Sequence, residues 1–197
     1  MADKHKGDKV TTPKFRMSFP ALLVASAMKD DEGKEGEPKF SLVMLFDKAA
    51  QATPEFAKMK EIAKAAAIAK FGPDYKTKVP NLRSPFRDGM EKAQLEGYGE
   101  GVVFVSASTK SRPGVIDAAK RRIDSAEEIY PGRNARATVT AYAYDRRGNK
   151  GIAFGLHNVQ LLNGGESLSG RVKAEDDFDE VEDAFDDDGL PNVEDDF

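Results

Sequence analysis

The sequence has no cysteine and only two histidines, His5 and His157. The first absence removes disulfides, thiolate nucleophiles and cysteine-ligated zinc; the second removes a histidine-rich metal site. No apolar run approaches the roughly 20 residues that a membrane helix needs. The opening "MADKHKGDKV" is polar where a secretory signal would be hydrophobic. A soluble intracellular protein with no membrane contact is the expectation. A Walker-type glycine loop, a dinucleotide fingerprint and Gly-x-Ser-x-Gly are missing as well. Asp88, Asp117, Asp124, Glu127, Glu128 and Asp145 have the charge for a two-metal nuclease but no recognisable ligand spacing. Surface carboxylates paired with Arg and Lys are the simpler account. The chain is expected to be no enzyme and to carry no cofactor.

What the sequence does have is charge, unevenly placed. The 197 residues include 30 Lys and Arg and 34 Asp and Glu. Thirteen of those acids, and no base, lie in residues 174–197, so residues 1–173 keep 21 acids and a net charge of +9. A basic body joined to an acidic tail suggests a polyanion-binding surface with its own tethered competitor. A solubilising tail is the plainer alternative.

The length suits one domain and a tail. Residues 1–12 are polar and without hydrophobic period, and are expected to be disordered. "KFRMSF" then alternates Lys14, Arg16 and Ser18 with Phe15, Met17 and Phe19, as a strand does. Pro20 interrupts it, so "ALLVAS" is either its continuation past a bulge or a second short strand. "PKFSLVMLFD" reads as a buried strand. Thr53 and Pro54 open one clear helix as N-cap and first-turn proline; Phe56, Met59, Ile62, Ala63, Ala66 and Ala69 form its stripe, and Gly72-Pro73 ends it. Residues 73–100 form a long connection, centred on "NLRSPFRDG". Strands are expected at 101–110, 135–145 and 151–162, the last two as a hairpin through "DRRGN", with room for a short helix between the first two. About five strands and one main helix without repeated βα alternation imply a mainly β, mainly antiparallel small barrel with long loops.

The strand 135–144 separates two kinds of side chain. Ala135, Ala137, Val139, Ala141 and Ala143 suit a crowded interior, while Arg136, Thr138, Thr140, Tyr142 and Tyr144 fall on the other face. A single-stranded nucleic acid can use such a face, its bases stacking on rings and its phosphates on Arg and hydroxyls. The alternative is that the tyrosines cover the barrel beneath a loop. Basic residues recur nearby. Phe86 lies between Arg83 and Arg87; Lys110 and Arg112 follow a strand; Arg146, Arg147 and Lys150 mark the hairpin tip. The candidate stacking residues are Phe86, Tyr142 and Tyr144; the candidate phosphate ligands are Arg83, Arg87, Lys110, Arg112, Arg136 and Lys150.

In the tail, Phe178, Val181 and Phe185 recur at i, i+3 and i+7, one face of a helix that like-charge repulsion forbids in isolation. The segment is a candidate for folding on a partner. Phe197, after Glu194, Asp195 and Asp196, presents a ring and carboxylates to a basic-rimmed pocket. The same charges suit a weak competitor for the chain's own phosphate-binding groove.

The segments "PFRDG", "ASTKSRPGVID", "EEIYPGRNARATVTAYAYD" and "GNKGIAFGLHNVQLLNGGESLSG", in order between Ser84 and Gly170, resemble a phage single-stranded-DNA-binding family formerly classed as a domain of unknown function. That resemblance implies an OB-fold barrel over residues 13–173 that coats single-stranded DNA during phage replication or recombination, in the cytoplasm of an infected bacterium. The tail, residues 174–197, is similar to tails that recruit DNA polymerase and other replication proteins and compete with DNA. A duplex-DNA- or RNA-binding chaperone and, further off, a metal-dependent nuclease are the rival readings; oligomeric state is left open.

Overall fold

The computed structural model describes residues 8–27, 36–146 and 148–168. The expected tail residues Phe178, Phe185, Asp195, Asp196 and Phe197 lie outside the described residues, as do Arg147 and the whole of 28–35. Among the described residues there are eight strands: β1 (Val10–Thr11), β2 (Phe15–Ser26), β3 (Lys39–Phe46), β4 (Arg87–Asp88), β5 (Val103–Thr109), β6 (Gly114–Ile116), β7 (Asn134–Arg146) and β8 (Asn149–Leu161). Three helices lie between β3 and β4: α1 (Lys48–Gln51), α2 (Pro54–Phe71) and α3 (Tyr75–Lys78).

The mainly β character matches expectation; the strand count does not. Five long strands pair in a closed circuit, β2 with β3, β3 with β5, β5 with β8, β8 with β7, and β7 back to β2. Three short strands, β1, β4 and β6, add to its edges. The β5–β8 and β6–β8 pairs are parallel; the other pairings between these strands are antiparallel, as the mainly antiparallel expectation has it. Val10 and Thr11, expected outside the fold, pair with Val139 and Thr138 of β7. Thr12 extends that contact: its N–H donates to the Ala137 carbonyl at 2.8 Å and its hydroxyl accepts from the Ala137 N–H at 3.0 Å. Two paired residues are too few to leave a hydrophobic period. The segment 111–132, which had room for a short helix, holds β6 instead.

β2 runs through Pro20 as one strand, with its register to β3 shifting between Ser18 and Ala21. Phe19 takes a φ of 45° there. This bulge absorbs the proline, which has no N–H for the ladder. α2 starts as expected, with the Phe56 N–H donating to the Thr53 hydroxyl at 3.3 Å. It buries Phe56, Met59, Ala63 and Ala67.

Inside the circuit, β2 contributes Phe15, Met17 and Leu22, β3 Leu42, Met44 and Phe46, and β8 Ile152, Phe154 and Leu156, while β7 contributes only Val139 and alanines. Phenylalanine rings meet edge-on from one element to the next: Phe15–Phe46 at 5.8 Å, Phe46–Phe56 at 5.2 Å, Phe56–Phe86 at 5.5 Å and Phe86–Phe154 at 5.7 Å. Such pairs add about 0.5–1.5 kcal/mol beyond their burial. The series ties α2 and the 79–86 connection to the sheet. Phe46→Ala, which removes a fully buried ring touching two others, is expected to cost about 3–5 kcal/mol; thermal unfolding should show a drop of roughly 6–20 °C.

Candidate nucleic-acid interface

β7 and β8 are each 13 residues long and pair from Ala135–Leu161 to Arg146–Asn149. Burial along β7 alternates as its sequence predicts. Ala135, Ala137, Val139 and Ala141 are buried, Arg136 and Tyr142 exposed, and Thr138, Thr140 and Tyr144 half-buried. On β8 the inward set changes parity, from Ile152, Phe154 and Leu156 to Val159 and Leu161. His157 is the extra residue, because Asn158 pairs with Thr138 and Leu156 with Val139. Without this bulge one half of β8 would turn its apolar side chains to water.

The outer face of the hairpin is therefore one strip. From Arg136 to Tyr144 it spans about 27 Å at about 3.3 Å per residue. At one end the Arg136 Nε donates to Gln160 Oε1 at 2.7 Å, and Gln160 Nε2 donates to the Asp117 carbonyl at 3.0 Å. A hollow of about 510 Å³ opens over Arg136, Thr138, Asn158 and Gln160, flanked by Thr11 and by Gly114 and Ile116 of β6. In the middle Thr140 Oγ1 lies 3.2 Å from His157 Nε2. Desolvation pushes the His157 imidazole below its ordinary value, and Lys9 adds to the shift. At the far end Tyr142 pairs with Ala153 and Tyr144 with Gly151. Small partners leave the rings room to lie flat. A Cβ on Gly151 would stand 2.6 Å from Tyr144 Cζ, so the ring covers the glycine directly. Tyr142 is 45% exposed; partial burial raises its phenol pKa.

Next to this strip the registers give a transverse row, Ala21–Ser41–Ser108–Gly155–Thr140, with no side chain larger than threonine. Beside its β2 end stands Phe19, 54% exposed, with the Lys92 ammonium 5.6 Å from its ring. Lys92 also faces Tyr98 and Phe104. Sequence periodicity put Phe19 on the inward side with Phe15 and Met17, and the bulge at Pro20 turns it out. No local signal separates Lys92 from other surface lysines.

Of the candidate residues, the fold gathers Arg136, Tyr142, Tyr144, Lys150 and Arg83. Arg83 bridges in parallel to Gly151, and the Arg83 N–H donates to the Lys150 carbonyl at 3.0 Å. Its side chain is exposed and, among the described residues, has no carboxylate partner. Lys150 lies 3.5 Å from Asp145. Phe86 differs from the open stacking ring expected: it is half-buried between Phe56 and Phe154. Three other cations have carboxylate partners. Arg87 pairs with Glu91 and lies over Phe104, Lys110 pairs with Glu37, and Arg112 meets Asp124 at 2.9 Å. Lys110 holds the Glu37 carboxyl below its ordinary value by hydrogen bond and charge. Asp88 caps the turn at Gly89–Lys92 by accepting from the Met90 N–H. Among the described residues, no three Asp, Glu or His side chains are grouped to hold a metal.

A family model described as the single-stranded-DNA-binding protein of Enterobacter phage Enc34 matches residues 8–190. The chain belongs to that family. Among curated proteins, this member of the Enc34 family is 38% identical over 104 residues to protein p50 of Acyrthosiphon pisum secondary endosymbiont phage 1. The match covers 52% of this chain and 54% of p50, so the chain spans about half the length of that relative. The solved single-stranded-DNA-binding protein of bacteriophage Enc34, in complex with single-stranded DNA, superposes with a TM-score of 0.66 at 22% identity, over 81% of this chain and 88% of that one. The gp2.5 single-stranded-DNA-binding protein of bacteriophage T7 gives 0.56 at 16% identity, over 90% and 97%. These likenesses establish a shared fold.

Two outcomes follow from the geometry. Gly151→Ala leaves the backbone unstrained but places a methyl where the Tyr144 ring now lies, so the ring must swing away and its resonances should shift in an NMR spectrum while the protein folds. Asp117 accepts from the Arg121 N–H at 2.8 Å, which lowers its carboxyl pKa against the opposing effect of burial; the Arg121 guanidinium at 2.7 Å adds to the lowering. Its stabilising effect is present above the unfolded value of about 3.9 and is lost as pH falls through the lowered folded value. The melting-temperature gap between wild type and Asp117→Asn should be open at pH 7 and close progressively below pH 4.

Proposed function

We propose that this chain coats and protects single-stranded DNA, largely without sequence specificity, during phage DNA replication or recombination in the cytoplasm of the infected bacterium. It does so as a binding protein and not as an enzyme. The observation that carries the reading is the outer face of β7–β8, where Tyr142 and Tyr144 lie over small residues with Arg136, Lys150 and Arg83 alongside. Bases stack on the rings and phosphates meet the cations; nothing in such contacts selects one base strongly over another. Family membership supports the same partner. Phe19 and Lys92 extend the contact around the circuit, and Arg87, Lys110 and Arg112 join it by exchanging carboxylates for phosphates. Phe86 acts from beneath, by fixing the connection that carries Arg83.

The five-strand circuit with its one parallel pair supports an OB-fold barrel spanning residues 13–173, with 174–197 as the acidic tail. The tail moderates DNA binding through its charge and recruits replication proteins such as DNA polymerase through its phenylalanines, Phe178, Phe185 and Phe197 with Asp195 and Asp196.

Fluorescence anisotropy with labelled oligo-dT and an equal-length duplex, across a salt series, tests this reading. The single strand should be preferred, with log affinity falling linearly with log salt. Tyr142→Ala should weaken binding about 5- to 150-fold, the equivalent of about 1–3 kcal/mol for one stacked base. Arg136→Ala should reduce the salt slope by about 0.7. Equal affinity for duplex and single strand, or no salt dependence, would overturn the assignment. A chain ending at residue 173 should bind more tightly at low salt, with the gain shrinking as salt rises.

A further inference from the structure

A second hollow, of about 520 Å³, opens between α2 and the connection at residues 79–86, with Ile152 of β8 on its wall. Its floor is apolar, formed by Ala63, Ala67, Tyr75, Val79, Leu82 and Phe86. It stays open because the buried stripe of α2 shrinks along the helix, from Phe56 and Met59 to Ala63 and Ala67 one and two turns later. Its rim carries Lys60, Lys64, Lys76 and Arg83, all exposed, and no carboxylate. None of these four cations has an ion-pair partner among the described residues. The nearby Lys78, off the rim, does pair, with Asp74 at 3.7 Å.

An apolar slot ringed by unpaired cations fits a ligand with the opposite design, an apolar anchor amid negative charge. The chain itself contains one. Between Glu175 and Asp188, Phe178, Val181 and Phe185 are interspersed with ten carboxylates and no base. We propose that the slot between α2 and residues 79–86 docks the Phe178–Phe185 segment of this same chain, with the phenylalanines on the alanine floor and the flanking carboxylates on the lysine rim. Phe178 lies ten positions beyond Leu168, the last described residue, a reach of up to about 33–36 Å. Tethering holds the segment at an effective concentration in the millimolar range.

The slot also touches the DNA-binding reading of the preceding section, on which this consequence rests. Arg83 belongs both to the rim and, through its bridge to Gly151, to the end of the tyrosine strip. A docked tail would engage Arg83 and set negative charge at that end, so tail and DNA would exclude one another through one arginine, without the tail lying along β7–β8.

The cysteine-free chain allows a single nitroxide label at Asp187→Cys in the full-length protein, read by paramagnetic broadening of backbone amides. Broadening should centre on residues 60–67 and 79–86. It should be lost in Phe178→Ser/Phe185→Ser, which leaves the body untouched, and in Lys60→Glu/Lys64→Glu, which changes only exposed side chains. Broadening centred on residues 138–144, or unchanged by the phenylalanine substitutions, would overturn the docking site. Oligo-dT affinity is measured on the same proteins. Tighter binding by the phenylalanine double variant supports the shared arginine, and unchanged affinity with broadening lost rejects it. If the wild type fails to bind single-stranded DNA, the functional reading falls while the broadening still decides the docking.

Discussion

The register between β7 and β8 is the constraint on which the rest of the structure depends. A strand has two faces, and a slip of one residue exchanges them. Here the exchange would send Arg136, Tyr142 and Tyr144 into a space already occupied by Phe15, Phe46 and Phe154, and would expose the alanines opposite. Those phenylalanines explain why β7 can present only small side chains inward, and the alanines in turn explain why the rings can crowd there. The bulge at His157 lets both halves of β8 keep this arrangement over the full length of the hairpin. The outer strip is thus a product of packing on the inner one.

The phenylalanine series carries the same constraint outward. Phe86 lies three residues after Arg83, and its seat between Phe56 and Phe154 fixes where the connection crosses the end of β8. Backbone bonds on either side of Arg83, to Lys150 and Ile152, complete the anchoring. A cation on a loop is thereby held nearly as firmly as one on a strand. By contrast, Lys110, Arg112 and Arg87 are held by exposed carboxylates, and pairs of that kind contribute only about 0–1 kcal/mol. In the proposed reading phosphates would displace such partners, and Arg87, Lys110 and Arg112 would serve as reserve positive charge.

Much of this was legible in the sequence, for identifiable reasons. α2 announced itself because its cap, proline, stripe and terminal glycine are all local signals. The two faces of β7 were legible because period-two alternation is local as well. What stayed hidden depends on distant residues. The parallel pairing of β5 with β8 joins segments about 50 residues apart, and β1 and β6 are too short to show a period. Phe86 between two arginines looks exposed when only its neighbours in sequence are considered; the aromatic partners that bury it come from α2 and β8. Phe19 shows the reverse error. Its place in the alternation was sound up to Ser18, and one bulge at Pro20 reversed its side. The charge pairs of Lys110 and Arg112 with Glu37 and Asp124 are likewise matters of loop geometry that spacing does not encode.

The distribution of charge follows a physical logic that alternation alone would not require. A strip that binds any base has to rely on stacking and on phosphate charge, and both act on every sequence alike. Such a surface attracts every polyanion of sufficient charge density, and selectivity then has to come from shape and from competition. In the proposed reading Tyr142 and Tyr144 would supply the first, since paired bases in a duplex do not offer their faces to a ring. The acidic tail would, in the same reading, supply the second, because a tethered weak ligand raises the threshold that any other ligand must exceed. Screening weakens both the attraction and the competitor as salt rises. Under that reading the threshold would move with the affinity it opposes, and a long single strand, which engages rings and cations together, would remain the preferred ligand as ionic strength changes.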